Sequence, residues 1–341
     1  MIRVLVVDDS ALMRGLLTRM IDEDERLSVV GAASDAYQAR RMIKALDPDV
    51  LTLDIDMPGM NGLAFLRNLM RLRPMPVVMV SALAARGASH TLTALELGAF
   101  DVVEKPRGDI ESIAEQAEEI RTKLCAAAQA NIDAIVQVHE SREAPAKASN
   151  RSPDRAIELV AIGASTGGTE AIRYLLDRIN DRPPPIVISQ HLPVAYTESF
   201  AARLNATSSL RVKVAEDATP LVSGEVLIAP GDRHLEVERR DGLLCCALSD
   251  GAKVNRHRPS VDVLFRSVAR CSAGRAAGLI LTGMGKDGAQ GLKLMRDTGA
   301  ATFAQDRSTS VVWGMPNAAL TVGGVEHVLS LARLGDFLCA L

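Results

Sequence analysis

The sequence predicts an α/β protein with two parallel-sheet domains, and three observations lead to this prediction. Short runs rich in β-branched residues alternate with helical patterns near the start of the chain, and a second alternating series begins at Glu158. A segment of different composition, Glu140–Asp154, separates the two series. The 341 residues, 48% of them hydrophobic, suffice for two packed cores.

The first series predicts a βα repeat of about 120 residues. The segments between its strands carry apolar residues at helical spacing, for example over Ala11–Glu23 and Gly62–Arg71. The predicted strands are Ile2–Val7, Ser28–Ala32, Val50–Leu53, Val77–Val80 and Val102–Val103.

The second series predicts another parallel sheet, and the two series share no visible internal repeat. Its predicted strands are Leu159–Gly163, Ile186–Gln190, Val226–Ala229, Leu235–Glu238, Gly278–Thr282 and Ala301–Ala304. Between the series, the alanine-rich stretch Ala114–Val138 predicts one helix. Glu140–Asp154 then predicts a flexible linker, because its Ala, Ser, Pro and charged residues offer almost nothing to bury.

Composition argues against several classes of protein. A net charge of -3 and aromatic residues at only 3% give no basis for nucleic-acid binding. Five cysteines without C-x-x-C spacing are typical of the reducing cytoplasm, where we expect the protein. No apolar run approaches the roughly 18 residues that span a bilayer, so membrane insertion is not expected.

Polar residues end the strands of the first domain. Asp8 and Asp9 follow the first strand, Asp54 the third, Ser81 the fourth and Lys105 the fifth. The carboxyl ends of parallel strands meet at one edge of the sheet, where ligands bind. Clustered carboxylates suit Mg²⁺, and Asp54 could accept a phosphoryl group that Ser81 and Lys105 would hold. Each residue taken alone would more often be a cap or turn residue.

Together these residues make the first domain resemble a response-regulator receiver domain. The resemblance covers Val6–Ser10, Asp54 with Met57-Pro58, Ser81-Ala82 and Lys105-Pro106. It implies a flavodoxin-like receiver over residues 1–122, with a helix and linker over 123–155. By the resemblance, Asp54 is phosphorylated by a histidine kinase, and Asp9, Asp54 and the Asp56 carbonyl hold Mg²⁺. Val102 stands where receivers often carry an aromatic relay residue, which favours a weaker relay or a signal carried by the interdomain surface.

A serine at the end of the second domain's first strand is the main catalytic candidate. Gly163-Ala164-Ser165-Thr166-Gly167 fits the G-x-S-x-G spacing of a nucleophile elbow, and a helical pattern follows from Glu170 to Ile179. The elbow would expose the Ser165 hydroxyl beside helix N–H groups. Two alternatives are a plain turn and a phosphate cradle. A dinucleotide site is disfavoured because the glycine spacing is wrong and the next strand ends in Gln190-His191.

The serine needs a base and an orienting acid. His191 follows the next strand, and Asp287 lies in the glycine-rich turn Thr282–Gly288. The backbone N–H groups of Met284 and Thr166 are the expected oxyanion donors. His234 and His257 are rival bases, and Asp287 could instead cap a helix that begins near Gly288. The chain order Ser, His, Asp differs from that of α/β-hydrolases.

Residues from about 157 to 335 resemble the catalytic domain of the chemotaxis protein-glutamate methylesterases, which implies a catalytic domain over residues 156–341. Arg307 stands where members of that family commonly carry an acid. The blocks that carry the resemblance are Gly163–Gly168, Gln190-His191, Ala229–Gly231, Asn255–Asp262, Thr282–Gly288 and Gly314–Pro316.

This resemblance implies an α/β methylesterase domain that hydrolyses glutamate γ-methyl esters of chemoreceptors and deamidates glutamines there. Ser165, His191 and Asp287 fall on the family's triad, and ester hydrolysis needs no cofactor. A receiver in front of the catalytic domain implies control by phosphorylation during chemotactic adaptation. The alternative function is a non-catalytic, phosphorylation-controlled receptor-binding protein. A DNA-binding response regulator is disfavoured, because the second half carries no basic recognition helix.

Overall fold

The computed structural model describes residues 1–81, 87–106, 109–140, 156–179 and 182–341. These residues form two compact units, Met1–His139 and Glu140–Leu341. The linker predicted over Glu140–Asp154 lies, apart from its first residue, outside the described residues.

The first unit alternates strands and helices throughout, as the sequence predicts. Its strands are β1 Ile2–Val7, β2 Leu27–Ala33, β3 Val50–Asp54, β4 Val77–Ser81 and β5 Asp101–Glu104. Its helices are α1 Ala11–Asp22, α2 Ala36–Leu46, α3 Gly62–Leu72, α4 Gly87–Glu96, α5 Ile110–Ala127 and α6 Ile132–Glu140.

The five strands form one sheet in the order β2-β1-β3-β4-β5, and every neighbouring pair is parallel. This is the flavodoxin-like order, so the fold prediction for the first unit is confirmed. The carboxyl ends of β1, β3, β4 and β5 therefore share one edge, where Asp8, Asp54, Ser81 and Lys105 lie.

The prediction of a single helix over Ala114–Val138 is wrong. The structure has two helices, because the chain leaves α5 after Ala127 and restarts at Ile132. The side chain of Asn131 accepts a hydrogen bond from the Ala134 N–H, which caps the start of α6. The domain limit expected after residue 122 falls inside α5. The predicted domain limits, 1–122, 123–155 and 156–341, stay a prediction.

The second unit holds the longer sheet and a separate hairpin. None of the described helices combines the length and the apolar character needed to cross a bilayer. The strands are β6 Leu159–Ala164, β7 Ile186–Gln190, β8 Arg211–Val214, β9 Glu225–Ile228, β10 His234–Arg240, β11 Leu243–Ser249, β12 Ala276–Ile280, β13 Ala301–Gln305 and β14 His327–Leu329. The helices are α7 Gly168–Leu176, α8 Val194–Thr207, α9 Val261–Cys271, α10 Ala289–Asp297, α11 Met315–Thr321 and α12 Leu331–Cys339.

Seven of these strands form a parallel sheet in the order β14-β13-β12-β6-β7-β9-β8. The chain winds outward from β6 in both directions, so the strand order reverses between β6 and β12. Ligand crevices in open α/β sheets lie at such a switch point, outside the carboxyl ends of the strands. Ser165 directly follows β6, and the Thr282–Gly288 turn lies just beyond β12. The topology therefore brings these two segments to the expected crevice.

The strand predicted over Leu235–Glu238 does not join the parallel sheet. It belongs to β10, which pairs antiparallel with β11. Asp241 and Gly242 link the two strands with φ angles of 49° and 83°, the left-handed conformation of a two-residue hairpin turn. An Asp-Gly pair between apolar runs is the usual sequence signal for this turn, so the hairpin was predictable. Strands β8, β11 and β14 were not predicted.

The core of the second unit fixes the start of α9 against the main sheet. Phe265 and Val268 of α9 are fully buried. Gly163 of β6 has no side chain because Val261, the first residue of α9, fills the space; a Cβ there would lie 2.1 Å from the Val261 Cγ1. This close approach sets the N-terminus of α9 directly beside the end of β6.

Candidate active site

The first unit contains a compact acidic cluster at the expected sheet edge. Carboxylate oxygens of Asp8, Asp9 and Asp54 all lie within 4.8 Å of one another. Asp8 and Asp54 are buried, whereas Asp9 is exposed. The Lys105 Nζ contacts both buried acids, at 2.9 Å from the Asp8 Oδ2 and 2.8 Å from the Asp54 Oδ2. Three carboxylates thus face one ammonium group.

Burial raises the pKa of Asp54, and the neighbouring Asp8 charge adds to this effect, while Lys105 partly offsets it. Burial opposes the charge of Lys105, but the hydrogen bonds and charges of Asp54 and Asp8 outweigh it and raise its pKa. Three carboxylates beside a single ammonium group leave an excess of negatively charged oxygens, which suits a hard divalent cation.

Two further residues predicted for this pocket lie beside it. The Asp56 N–H donates to the Asp54 Oδ1 at 3.3 Å, which holds the Asp56 backbone next to the carboxylate. Ser81 is buried at the end of β4. The described structure places Val102 in the apolar core, and its carbonyl accepts a hydrogen bond from the Lys123 Nζ at 2.7 Å.

In the second unit, Ser165 lies in a strand–turn–helix junction, the context that the G-x-S-x-G motif requires. Its N–H donates to the Thr282 carbonyl at 3.0 Å, and its carbonyl accepts from the Gly168 N–H at 2.8 Å. The Gln190 Nε2 donates to the same carbonyl at 2.9 Å. Gly167 has a φ of +75° and precedes the first residue of α7, a conformation that favours glycine. The backbone of the serine is therefore fixed from three sides.

His191 follows the strand next to that of the serine. Ala164 and Gln190 are register partners, and the His191 N–H donates to the Ala164 carbonyl at 3.2 Å. Ser165 and His191 are thus each one residue beyond a paired position on strands roughly 5 Å apart. The fold brings the predicted nucleophile and base to adjacent strand ends.

The His191 imidazole is bonded on one side only. Its Nε2 lies 2.8 Å from the Asp287 Oδ2, whereas its buried Nδ1 has no hydrogen-bond partner within the described part of the chain. An ionised Asp287 assigns the ring proton to Nε2, which leaves the Nδ1 lone pair as the basic site.

Asp287 is buried and its carboxylate is saturated with donors. Besides His191, it accepts hydrogen bonds from the Asn255 Nδ2 at 2.7 Å, the Ser260 Oγ at 2.8 Å and the Val261 N–H at 2.7 Å. Burial alone would raise the pKa of Asp287, but the hydrogen bonds from His191, Asn255 and Ser260 outweigh it and hold the pKa well below its usual range. The group is therefore an anion that fixes the imidazole.

Asp287 does not cap α10, the alternative role considered for it. Gly288 is the N-cap residue of that helix, and no side-chain cap bond is present there. The carboxylate instead binds backbone N–H groups at the first turn of α9. Because anions are stabilised at helix N-termini, this contact also supports the ionised state of Asp287.

The two rival histidines have other roles. His234 is buried, its Nδ1 accepts from the Ser260 N–H at 3.1 Å and its Nε2 lies 3.0 Å from the Ala252 carbonyl. Both nitrogens are engaged, so His234 is excluded as the base. The His257 ring stacks on that of His191, with centroids 3.6 Å apart and planes at 11°. His257 thus restrains the plane of the His191 ring.

Sequence reasoning missed the roles of Asn255 and His257. Both belong to a tight turn in which Val254 and His257 exchange backbone hydrogen bonds of 3.1 and 2.9 Å. Asn255 and Arg256 have φ angles of 51° and 70°, as in a two-residue hairpin turn. An asparagine in the first turn position was the available signal, but nothing in the sequence indicated where the turn would dock.

The expected oxyanion donors lie beside the serine turn. The Met284 N–H makes no hydrogen bond to any described residue, so it is available to a ligand. Thr166 is buried, and its carbonyl accepts from the Thr282 Oγ1 at 3.0 Å, which ties the two glycine-rich turns together. Arg307 is exposed just beyond β13, at the same carboxyl edge of the sheet.

Gly283 must lack a side chain for Ser165 to sit where it does. A Cβ on Gly283 would lie 2.7 Å from the Ser165 Cβ and 3.1 Å from its backbone nitrogen. We expect Gly283→Ala to shift the serine and slow its labelling by a fluorophosphonate about 100-fold, as misplacement of a reacting group commonly does.

Gly251→Ala is the matched control, because a Cβ there would meet the rotatable Ser249 hydroxyl at 3.3 Å and the His234 Cδ2 at 3.8 Å, an ordinary van der Waals distance. An unchanged labelling rate in Gly283→Ala would show that the close approach does not matter.

Two family models match the chain. The CheB methylesterase model matches residues 160–338, and the response regulator receiver domain model matches residues 4–118.

Full-length relatives and a solved structure agree with these matches. The protein-glutamate methylesterase/protein-glutamine glutaminase 2 of Saccharophagus degradans is 50% identical over 98% of this chain and 96% of its own. The corresponding protein 1 of Hahella chejuensis is 50% identical over 97% of this chain and 94% of its own. The CheB methylesterase catalytic domain of Thermotoga maritima has a TM-score of 0.52 and 37% identity, over 54% of this chain and 97% of that domain. The chain therefore belongs to the CheB methylesterase family, with a receiver domain ahead of its methylesterase domain.

Proposed function

We propose that this protein hydrolyses glutamate γ-methyl esters on chemoreceptors, with Ser165 as nucleophile, His191 as base and Asp287 as orienting acid. The observation that carries the proposal is the one-sided bonding of His191. Its Nε2 is held by a buried carboxylate at 2.8 Å, and its Nδ1, at the strand end next to that of Ser165, accepts no hydrogen bond from a described residue.

The reaction follows from these positions. The His191 Nδ1 takes the Ser165 proton while the serine oxygen attacks the ester carbonyl. The N–H groups of Met284 and Thr166 would stabilise the oxyanion, and the protonated histidine then gives its proton to the departing methanol. Water, activated by the same nitrogen, hydrolyses the acyl-enzyme to the glutamate carboxylate. A glutamine side chain would pass through the same acyl-enzyme and release ammonia, so we propose deamidation at this site as well. Neither route calls for a metal.

The receiver domain implies a divalent-metal phosphorylation site, and the acidic cluster of the first unit fits one. We propose Asp54 as phosphoacceptor, with Asp9, Asp54 and the Asp56 carbonyl as the ligands of Mg²⁺. The ion would offset the charge of the incoming phosphoryl group. Asp8 would support the ion, and Ser81 and Lys105 would bind phosphoryl oxygens.

Partners and location follow from this proposal. The phosphodonor would be a chemotaxis histidine kinase, and the substrate a helical receptor segment in the cytoplasm, which would place this enzyme there too. We propose the receiver over residues 1–122, a helix and linker over 123–155 and the catalytic domain over 156–341. Phosphorylation would raise esterase activity and thereby contribute to chemotactic adaptation.

Methanol release from a methylated chemoreceptor tests the proposal. We expect catalytic release of methanol and formation of glutamate at the esterified positions. A protein that only binds receptors would co-sediment with them and release no methanol, and that result would exclude the enzymatic function.

Asp54→Asn tests the regulatory part. A small-molecule phosphodonor such as acetyl phosphate should stimulate methanol release by the wild type but not by the variant, because an amide cannot accept the phosphoryl group. Asp24→Asn is a suitable control, since Asp24 pairs with Arg26 at 2.6 Å and is not part of the acidic cluster. Equal stimulation of wild type and Asp54→Asn would rule out Asp54 as the acceptor.

A further inference from the structure

The turn that supports the triad also carries an exposed cation. Asn255 and His257 contact Asp287 and His191, and Arg256 between them is exposed. Arg256 has a φ of 70°, where Asn, Asp and Gly are the usual residues of such a turn. A long cationic side chain at this position is therefore not explained by the turn alone.

Two lysines are sequence neighbours of other parts of the same site. Lys286 directly precedes Asp287, and Lys253 directly precedes the turn; both are exposed. We call Lys253, Arg256 and Lys286 the cationic rim. Because neighbouring Cα atoms are about 3.8 Å apart, Arg256 and Lys286 are each one peptide unit from a residue that touches the His191 ring.

No side chain of the cationic rim forms a close ion pair with a described residue, in contrast to other cations near it. Among the described residues, none of its three side chains forms an ion pair or a hydrogen bond. Arg233 pairs with Asp250 at 2.8 Å, and Arg258 pairs with Asp232 at 2.8 Å.

The charges that face the rim do not cancel it. The Asp232 carboxylate interacts with two cations, because the hydrogen bond and charge of Arg258 and the charge of Lys253 all lower its pKa. Asp287 and Asp262 keep their negative charges, but both are buried and hydrogen-bonded inside the fold, so neither is exposed at the rim. The exposed groups at this edge of the site therefore carry surplus positive charge, in a chain whose overall charge is negative.

We propose that the cationic rim binds carboxylates on the substrate protein, so that the enzyme prefers glutamyl esters within acidic helical segments. This inference rests on the proposed esterase function and adds a substrate preference to it. Carboxylates three and four positions from the ester lie on the same helix face, about 5–6 Å away, and could reach the rim while the ester enters the site. Such contacts accelerate association and weaken as salt rises.

The test compares methanol release from two helical peptides with one glutamyl γ-methyl ester each. One peptide carries glutamates three and four positions to either side of the ester, and the other carries alanines there. For the full-length wild type at low salt, we expect kcat/KM to be about fivefold higher on the acidic peptide, and the ratio to approach one at about 0.5 M salt.

Variants of the rim test the substrate preference separately from the esterase function on which it rests. Arg256→Asn combined with Lys286→Gln should bring the ratio of the two kcat/KM values near one; asparagine also tolerates the left-handed backbone. Arg256→Asp with Lys286→Glu should instead favour a lysine-flanked peptide. Arg182→Gln is the control, since Arg182 is exposed before β7, at the opposite edge of the sheet.

The outcomes are distinct. A ratio of one in the wild type, or a ratio that both rim variants leave unchanged, would overturn the substrate preference and leave the esterase function intact. Failure of the wild type to release methanol from either peptide or from methylated receptor would overturn the function itself.

Discussion

Ser165→Ala is expected to lower methanol release by about 10⁴-fold or more, because the reaction loses its nucleophile. The fold should stay intact. The Ser165 N–H and carbonyl, which bind Thr282, Gly168 and Gln190, belong to the backbone and are kept in alanine. Initial rates on methylated receptor and the thermal unfolding midpoint would together measure the effect.

Ser189→Ala provides the control for serine truncation. Ser189 is fully buried on the neighbouring strand β7, and its hydroxyl has no hydrogen-bond partner among the described residues. Its removal should leave the rate unchanged. Methanol release that persists in Ser165→Ala at a rate close to wild type would mean that another residue is the nucleophile.

Asp287→Asn is expected to reduce kcat by about 10³–10⁴-fold, since a neutral amide no longer fixes the His191 tautomer or stabilises the imidazolium. It should also destabilise the catalytic unit by about 3 kcal/mol, because the new NH₂ group faces donors that need an acceptor. The only tryptophan, Trp313, lies in this unit, so urea unfolding followed by its fluorescence would measure the loss.

The stabilising effect of Asp287 has a defined pH dependence. The folded protein holds the pKa of this carboxyl below its unfolded value, which is about 3.9. Its contribution is therefore fully present above that unfolded pKa and is lost as the pH falls towards the folded pKa. The difference in unfolding free energy between wild type and Asp287→Asn should be greatest near neutral pH and shrink below about pH 4.

Asp262→Asn separates catalysis from stability. Asp262 is equally buried and accepts from the Gly291 N–H at 2.7 Å and the Asn255 Nδ2 at 2.9 Å, but it does not bond to His191. We expect a comparable loss of stability with a loss of kcat of less than about tenfold. If Asp287→Asn lowered kcat no more than Asp262→Asn does, Asp287 would be a structural residue only.

The sequence predicted the elements whose residue pattern is local. Most strands of both parallel sheets were identified within one or two residues, since each is a short apolar run between turn signals. Strand β10 was assigned to the wrong sheet and β11 was not predicted, although Asp241-Gly242 marked the turn between them. The break after α5 was missed because alanine-rich sequence continues through it, and only the Asn131 cap marks the restart.

The candidate site was predictable for a related reason. Parallel strands present their carboxyl ends at one edge, so polar residues at those ends are expected to meet there, Asp8 and Asp54 in the first sheet and Ser165 and His191 in the second. Asp287 was placed by the same argument. The supporting contacts were not predictable, because Asn255 and His257 reach the site from a turn whose docking depends on the whole domain.

The sequence by itself determined the two-domain α/β architecture, the order of the strands along the chain and the residues able to do the chemistry. Tertiary structure alone decided which nitrogen of His191 meets Asp287, that His234 is fully engaged elsewhere and that His257 stacks on the His191 ring. The physical reason is the distance along the chain over which each kind of interaction acts. Periodicity and turn chemistry act between residues a few positions apart, whereas these contacts join residues 18 to 96 positions apart and form only when packing closes the core.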